Sequence, residues 1–70
     1  MNGNELLRKI KKLARRRGLK VALFPDQGYG SHGRLYFGDR FTTVKDLKKE
    51  IGPGLLGSML EDLGIRKEEL

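Results

Sequence analysis

The dipeptide Gly38-Asp39 stands between two short runs rich in aromatic and β-branched residues, Gly33–Phe37 and Arg40–Val44. Glycine at the first of two central positions suits a type II′ turn, whose twist matches that of the strands it joins. The pair therefore predicts an antiparallel hairpin, and any fold for this chain has to contain it. Pairing outward from the turn sets Phe37 opposite Arg40, Tyr36 opposite Phe41 and Leu35 opposite Thr42. Apolar side chains then fall on both faces of the ribbon, so alternation alone does not choose the buried one. A bulge or a one-residue shift is one way the choice is made.

The flanking segments fill in the rest. Leu19 to Phe24 reads as a strand, broken by Pro25-Asp26-Gln27-Gly28, with Gly28-Tyr29-Gly30-Ser31 continuing as loop. Ahead of it, Leu6, Leu7, Ile10, Leu13, Ala14 and Arg17 recur at helical spacing, with Asn4 as the expected N-cap and Gly18 as the C′ residue. After the hairpin, Lys45 to Ile51 is a charged connection. Gly52-Pro53-Gly54 then opens a second helix with Leu56, Met59, Leu60 and Leu63 on one stripe and Gly64 at its end. Ile65 is placed to tuck under that cap, and the tail to Leu70 is polar enough to fray. The order is helix, three strands, helix. It predicts a single α+β domain over residues 1–70: a three-stranded antiparallel sheet with both helices on one face, the topology of a double-stranded-RNA-binding domain. Topology does not give function, which has to come from the site.

Charge narrows the partner. Fifteen Lys and Arg oppose nine Asp and Glu, a formal +6, and eight of the fifteen cations lie between Arg8 and Lys20. Such a field recruits polyanions; the competing readings are a charge kept for solubility and the solvated face of an amphipathic helix. A membrane-surface role is disfavoured, because the first helix has no aromatic residue to seat in the interface. There is no cysteine, no clustered metal-ligand pattern, no apolar leader after Met1 and no membrane-length run, so a soluble protein of a reducing cytoplasm is expected, with neither metal nor cofactor. A chain this short buries only about 60% of its unfolded surface, so its core is small and a partner would add stability.

His32 is the only histidine. It follows a small glycine-rich loop in which Gly28 and Gly30 let a backbone approach phosphate and Ser31 offers a hydroxyl, with Arg34 and Lys20 expected to place cations near it. An incidental or structural histidine is the alternative. Imidazole takes and gives protons near neutral pH, which RNA cleavage requires at the 2′-hydroxyl and at the leaving 5′-oxygen. Lys and Arg can balance the developing phosphate charge, so a metal-free reaction is expected. Asp26, Asp39 and Asp46 fall in separate loops, without the spacing of metal ligands.

Gly30-Ser31-His32, the strand Arg40-Phe41-Thr42-Thr43-Val44, the run Lys48-Lys49-Glu50-Ile51-Gly52-Pro53-Gly54-Leu55-Leu56 and the run Leu60-Glu61-Asp62-Leu63-Gly64-Ile65 resemble the HicA family. HicA proteins are mRNA interferase toxins of type II toxin-antitoxin pairs. The resemblance covers nearly the whole chain, including a Glu-Leu-Leu opening to the first helix. It implies a dsRBD-like fold, an endoribonuclease acting on mRNA with His32 as its catalytic histidine, and a HicB-like antitoxin that covers the site. Two features depart from the family: Gly33 stands where many members have a second histidine, and the first helix is unusually basic.

The residues expected to hold RNA are Gly30, Ser31, Lys20, Arg34, Lys45, Lys48, Arg15 and Arg16. Gly52-Pro53-Gly54 is either an ordinary helix start or a phosphate-facing N-terminus helped by Lys45, Lys48 and Lys49. Tyr29, Tyr36, Phe37 and Phe41 are candidates for stacking on unpaired bases, with at least two of them expected in the core. The competing functions are a non-catalytic RNA-binding module and a DNA-binding regulator. The last lacks a helix-turn-helix, since a strand hairpin separates the two helices.

Overall fold

The computed structural model describes residues 1–25 and 33–70. Helix α1 spans Gly3–Arg17, and its N-cap is Asn2 rather than the expected Asn4. Asn2 Oδ1 accepts the Glu5 N–H at 2.9 Å while the Glu5 carboxylate faces the Asn2 N–H at 3.4 Å, a reciprocal box that needs an acid or amide three residues after the cap. Asn4 is followed at that spacing by Leu7 and has no such partner; its own N–H goes to the Leu47 carbonyl at 3.0 Å. Leu6, Ile10, Leu13 and Ala14 form the buried stripe. Gly18 and Gly64 end the two helices in the left-handed region, both at φ 69°, where a side chain would be strained.

Strands β1 (Val21–Pro25), β2 (Gly33–Phe37) and β3 (Arg40–Val44) form an antiparallel sheet in the order β1-β2-β3. β1 starts two residues later than the sequence suggests. The Leu19 N–H closes the end of α1 on the Ala14 carbonyl at 2.9 Å, so pairing begins only where the Lys20 carbonyl accepts the Gly38 N–H. At the hairpin tip Gly38 has φ 65° and Asp39 is not left-handed, which is the type II′ pattern. The register is the expected one, Phe37 with Arg40, Tyr36 with Phe41, Leu35 with Thr42, without an inserted residue.

The buried face is decided by β1. Val21 pairs with Phe37 and Leu23 with Leu35, which builds an apolar side together with Thr42 and Val44. The other side carries Ala22, Phe24, Arg34, Tyr36, Phe41 and Thr43.

Helix α2 spans Pro53–Leu63 and buries Leu56, Met59, Leu60 and Leu63. These join the α1 stripe, Leu35, Phe37, Val44 and Ile65 in one cluster, so both helices lie on the same sheet face. The result is an α-β-β-β-α fold of the α+β class. Ile65 is buried as expected, its N–H bonded to the Leu60 carbonyl at 2.9 Å. Thr42, the one buried polar side chain among the described residues, donates to Asp62 Oδ2 at 2.8 Å and ties β3 to α2.

Two segments are more ordered than their composition suggests. The connection after β3 docks on α1, with Leu47 and Ile51 packed against the core, an Asn2–Glu50 bridge and an Ile51 N–H to Met1 carbonyl bond of 2.9 Å. The tail does not fray but winds into a short 3₁₀ turn, Lys67–Glu69. Glu69 pairs with Arg17 and accepts the Arg66 N–H at 2.9 Å. Among the described residues no helix is long and apolar enough to cross a membrane.

Candidate nucleic-acid interface

Because α1 turns its apolar stripe to the sheet, its cations line the outer side. Arg8, Lys9, Lys11, Lys12, Arg15 and Arg16 are all exposed. Arg8, Lys12 and Arg15 stand at i, i+4 and i+7, nearly opposite Ile10, and form the centre of that face. Among the described residues the side-chain ion pair that reaches α1 joins Glu69 to Arg17, and no acid pairs with the other six cations. Arg16 makes one long bond, 3.4 Å, to the Glu69 carbonyl. Like charges packed this closely repel one another, and a row of phosphates relieves that repulsion with release of counterions.

The open side of the sheet differs in kind. Phe24 and Phe41 are 60% and 47% exposed, and Tyr36 lies half-buried between them. Phe24 meets Tyr36 edge-on with centroids 5.6 Å apart, and Tyr36 meets Phe41 at 5.5 Å. The Arg34 guanidinium sits 5.0 Å from the Phe41 centroid, close enough for a cation–π contact. Exposed Lys20 and Lys45 flank the strands, each continuing the alternation of this side.

The cations expected to form one RNA grip thus occupy two surfaces. Arg34 belongs to the open sheet side, with Lys20 and Lys45 exposed just beyond the ends of β1 and β3, whereas Arg15 and Arg16 lie on a helix that covers the other. Lys48 is exposed in the connection, with its N–H turned to Asp46 Oδ1 at 3.0 Å. Gly30, Ser31 and His32, like Tyr29, lie outside the described residues. Gly33, which follows His32 in the chain, pairs with Pro25 on one side and with Val44 on the other, and Lys45 comes next after Val44. Gly52 caps α2 without a side-chain bond.

Of the four aromatic candidates, Phe37 is buried, Tyr36 is half-buried and Phe41 is exposed, so only one described ring is fully in the core. Phe24 is the addition that sequence reading missed. Its signal was present: it shares the alternation of Lys20 and Ala22, and the position facing it on β2 is Arg34. A groove of about 260 Å³ on α2, lined by Pro53, Leu56, Gly57, Leu60, Glu61, Ile65 and Lys67, touches the Gly52-Pro53-Gly54 helix start but none of the eight residues expected to hold RNA.

No protein-family model, curated protein or solved structure matches the chain.

Proposed function

We propose that this chain is a HicA-like endoribonuclease that holds messenger RNA on basic surface and cleaves it with His32. The observation that carries RNA binding is the outer face of α1, six exposed cations with no acidic side chain paired to them among the described residues. The chemistry rests on the sequence. His32 acts as general base on the 2′-hydroxyl or as general acid on the leaving 5′-oxygen, with the other proton carried by a water, Tyr29 or a cation; the 2′-oxygen attacks the adjacent phosphorus, and the P–O5′ bond breaks to leave a 2′,3′-cyclic phosphate and a protonated 5′-oxygen. Cationic side chains balance the charge on the transition state, so the step needs no metal. Ser31 orients the substrate or the imidazole. With Gly33 beside it and no second imidazole in the chain, His32 shares proton transfer with water, Tyr29 or a cation.

Replacing His32 with Ala lowers cleavage by about 10²- to 10⁴-fold while RNA binding survives. Cleavage also persists in excess EDTA. A variant as active as the parent, or chelator loss rescued by Mg²⁺, refutes the mechanism. On this reading the protein acts in the cytoplasm, inhibits translation and is held in check by a HicB-like antitoxin. A short neighbouring reading frame whose product binds and silences this chain is the corresponding genetic test.

The α-β-β-β-α order with both helices on one sheet face favours a second reading, a non-catalytic module that reads duplex shape through phosphate and 2′-OH contacts. It predicts binding without cutting, and one gel of labelled RNA separates the two.

A further inference from the structure

We infer that the open side of the sheet is a stacking platform for unpaired nucleobases, formed by Phe24 and Phe41 with Arg34 between the strands. The inference rests on the reading of the chain as an RNA binder and names the part of RNA that this face takes.

Three observations support it. Two flat rings are held out of the core at 60% and 47% exposure, on the side away from both helices. The half-buried Tyr36 is their common neighbour at 5.6 and 5.5 Å, so the rings are braced rather than free to collapse onto the backbone. The polar company is cationic: Arg34 lies 5.0 Å from the Phe41 centroid, Lys20 and Lys45 flank the strands, and none of Ala22, Phe24, Arg34, Tyr36, Phe41 or Thr43 is acidic.

An apolar protein partner would strip water from Arg34 without supplying an anion. An unpaired strand brings ring faces for Phe24 and Phe41 and phosphates for the cations together. A duplex has its base faces occupied by its own stack and presents sugars and phosphates, so it gains little from exposed rings. The platform therefore selects single-stranded over duplex RNA. It also lies on the opposite side of the sheet from the basic face of α1.

The test uses the full chain and an oligo(A) probe with 2′-O-methyl groups, which cannot be cleaved at the 2′-oxygen, beside an A-form duplex and oligo(dA). Phe24→Leu and Phe41→Leu keep apolar bulk and remove the flat face. Each is expected to weaken oligo(A) binding by about 5- to 140-fold while duplex binding and the thermal midpoint stay near the parent's. Phe24→Tyr retains binding. Because the chain has no tryptophan, Phe24→Trp supplies a single reporter whose fluorescence is quenched by a stacked base. Oligo(dA) is expected to bind like oligo(A), since stacking does not read the sugar.

Unchanged affinity of both leucine variants overturns the platform, as does equal loss on single strand and duplex, or an unquenched tryptophan at saturating probe. Conversion of a parent dimer to a monomer by Phe41→Leu, with RNA binding untouched, assigns the face to a second copy and also overturns it. In each of these outcomes the parent still binds RNA. A parent that binds neither RNA removes the proposed function itself.

Discussion

Replacing Gly3 with Ala sets helix propensity against packing, and the structure decides the sign. Gly3 is the first residue of α1 and is buried. On propensity alone, Ala in place of helical Gly stabilises by roughly 0.4–1 kcal/mol, mostly by restricting the unfolded chain. A Cβ at this position, however, would lie 2.9 Å from Leu47 Cα, 2.9 Å from Leu47 Cδ2 and 3.3 Å from the Leu47 carbonyl oxygen. Carbon atoms rest at about 3.5–4.0 Å, so roughly 0.6 Å of overlap has to be relieved. Rotation of the Leu47 side chain removes one contact and leaves the other two, which are backbone. That backbone is tied to α1 by the 3.0 Å bond from the Asn4 N–H to the Leu47 carbonyl and, four residues on, to the residue ahead of the helix cap by the Ile51 N–H on the Met1 carbonyl. Overpacking of this kind costs about 1–3 kcal/mol, which outweighs the propensity gain and leaves a net loss of about 1 kcal/mol. For a domain of this size the thermal midpoint then falls by about 4–8 °C. Gly57→Ala is the control. Gly57 is exposed in the interior of α2 with nothing within 4 Å of its would-be Cβ, so the same substitution stabilises there by about 0.5–1 kcal/mol. Urea and thermal unfolding followed by circular dichroism read both. A Gly3→Ala midpoint at or above the parent's refutes the rigid docking of the 45–51 segment.

Asn2→Ala removes the box that starts α1 and costs about 1 kcal/mol, whereas Asn4→Ala changes stability by less than about 0.5 kcal/mol; equal effects in urea titrations would reassign the cap. Ile10 is fully buried, and Ile10→Ala costs about 2–5 kcal/mol, against a total of roughly 4–10 kcal/mol for a domain of this length. Guanidinium titration is expected to show the midpoint lowered by about half. The triple variant Arg8→Ala, Lys12→Ala, Arg15→Ala weakens RNA binding and lowers the slope of log affinity against log salt by about 2–3, near 0.7–0.9 per lost phosphate contact. A slope equal to the parent's shows that α1 does not touch RNA.

What was legible in the sequence was local. Gly38-Asp39 names its own turn, and the 3.6-residue recurrence of Leu6, Ile10 and Leu13, or of Leu56, Met59 and Leu63, needs no knowledge of the partner surface. The capping box was legible too, but only by reading backward from Glu5 to Asn2. The buried side of the sheet was not readable from the hairpin, because Leu35 and Phe37 compete there with Tyr36 and Phe41 on equal terms. It takes β1, a non-local partner, to add Val21 and Leu23 to one side and Phe24 and Lys20 to the other. The order of the tail is likewise tertiary, since Arg17 and Glu69 lie far apart in sequence. For the site, the cations were legible as a composition and their grouping was not, because which of them share a surface depends on which sheet face the helices cover.

That grouping separates two contributions with different physics. The face of α1 holds closely spaced cations and no rings, so what it adds to affinity comes from counterion release and shrinks steeply as salt rises. The open sheet side holds two exposed rings and a guanidinium stacked on one of them; stacking on a neutral ring releases no counterions, so that part of its contribution shrinks less with salt than the charge contacts do. On the proposed reading, affinity for unpaired RNA in dilute buffer is governed by α1, and the affinity that remains in concentrated salt by Phe24 and Phe41. A duplex, with no base faces to offer, loses its binding over the same range. The preference for single strands over duplex thus widens with ionic strength by more than charge alone gives, which is only the difference between slopes of about 0.7 per phosphate contact on a single strand and about 0.9 on a duplex.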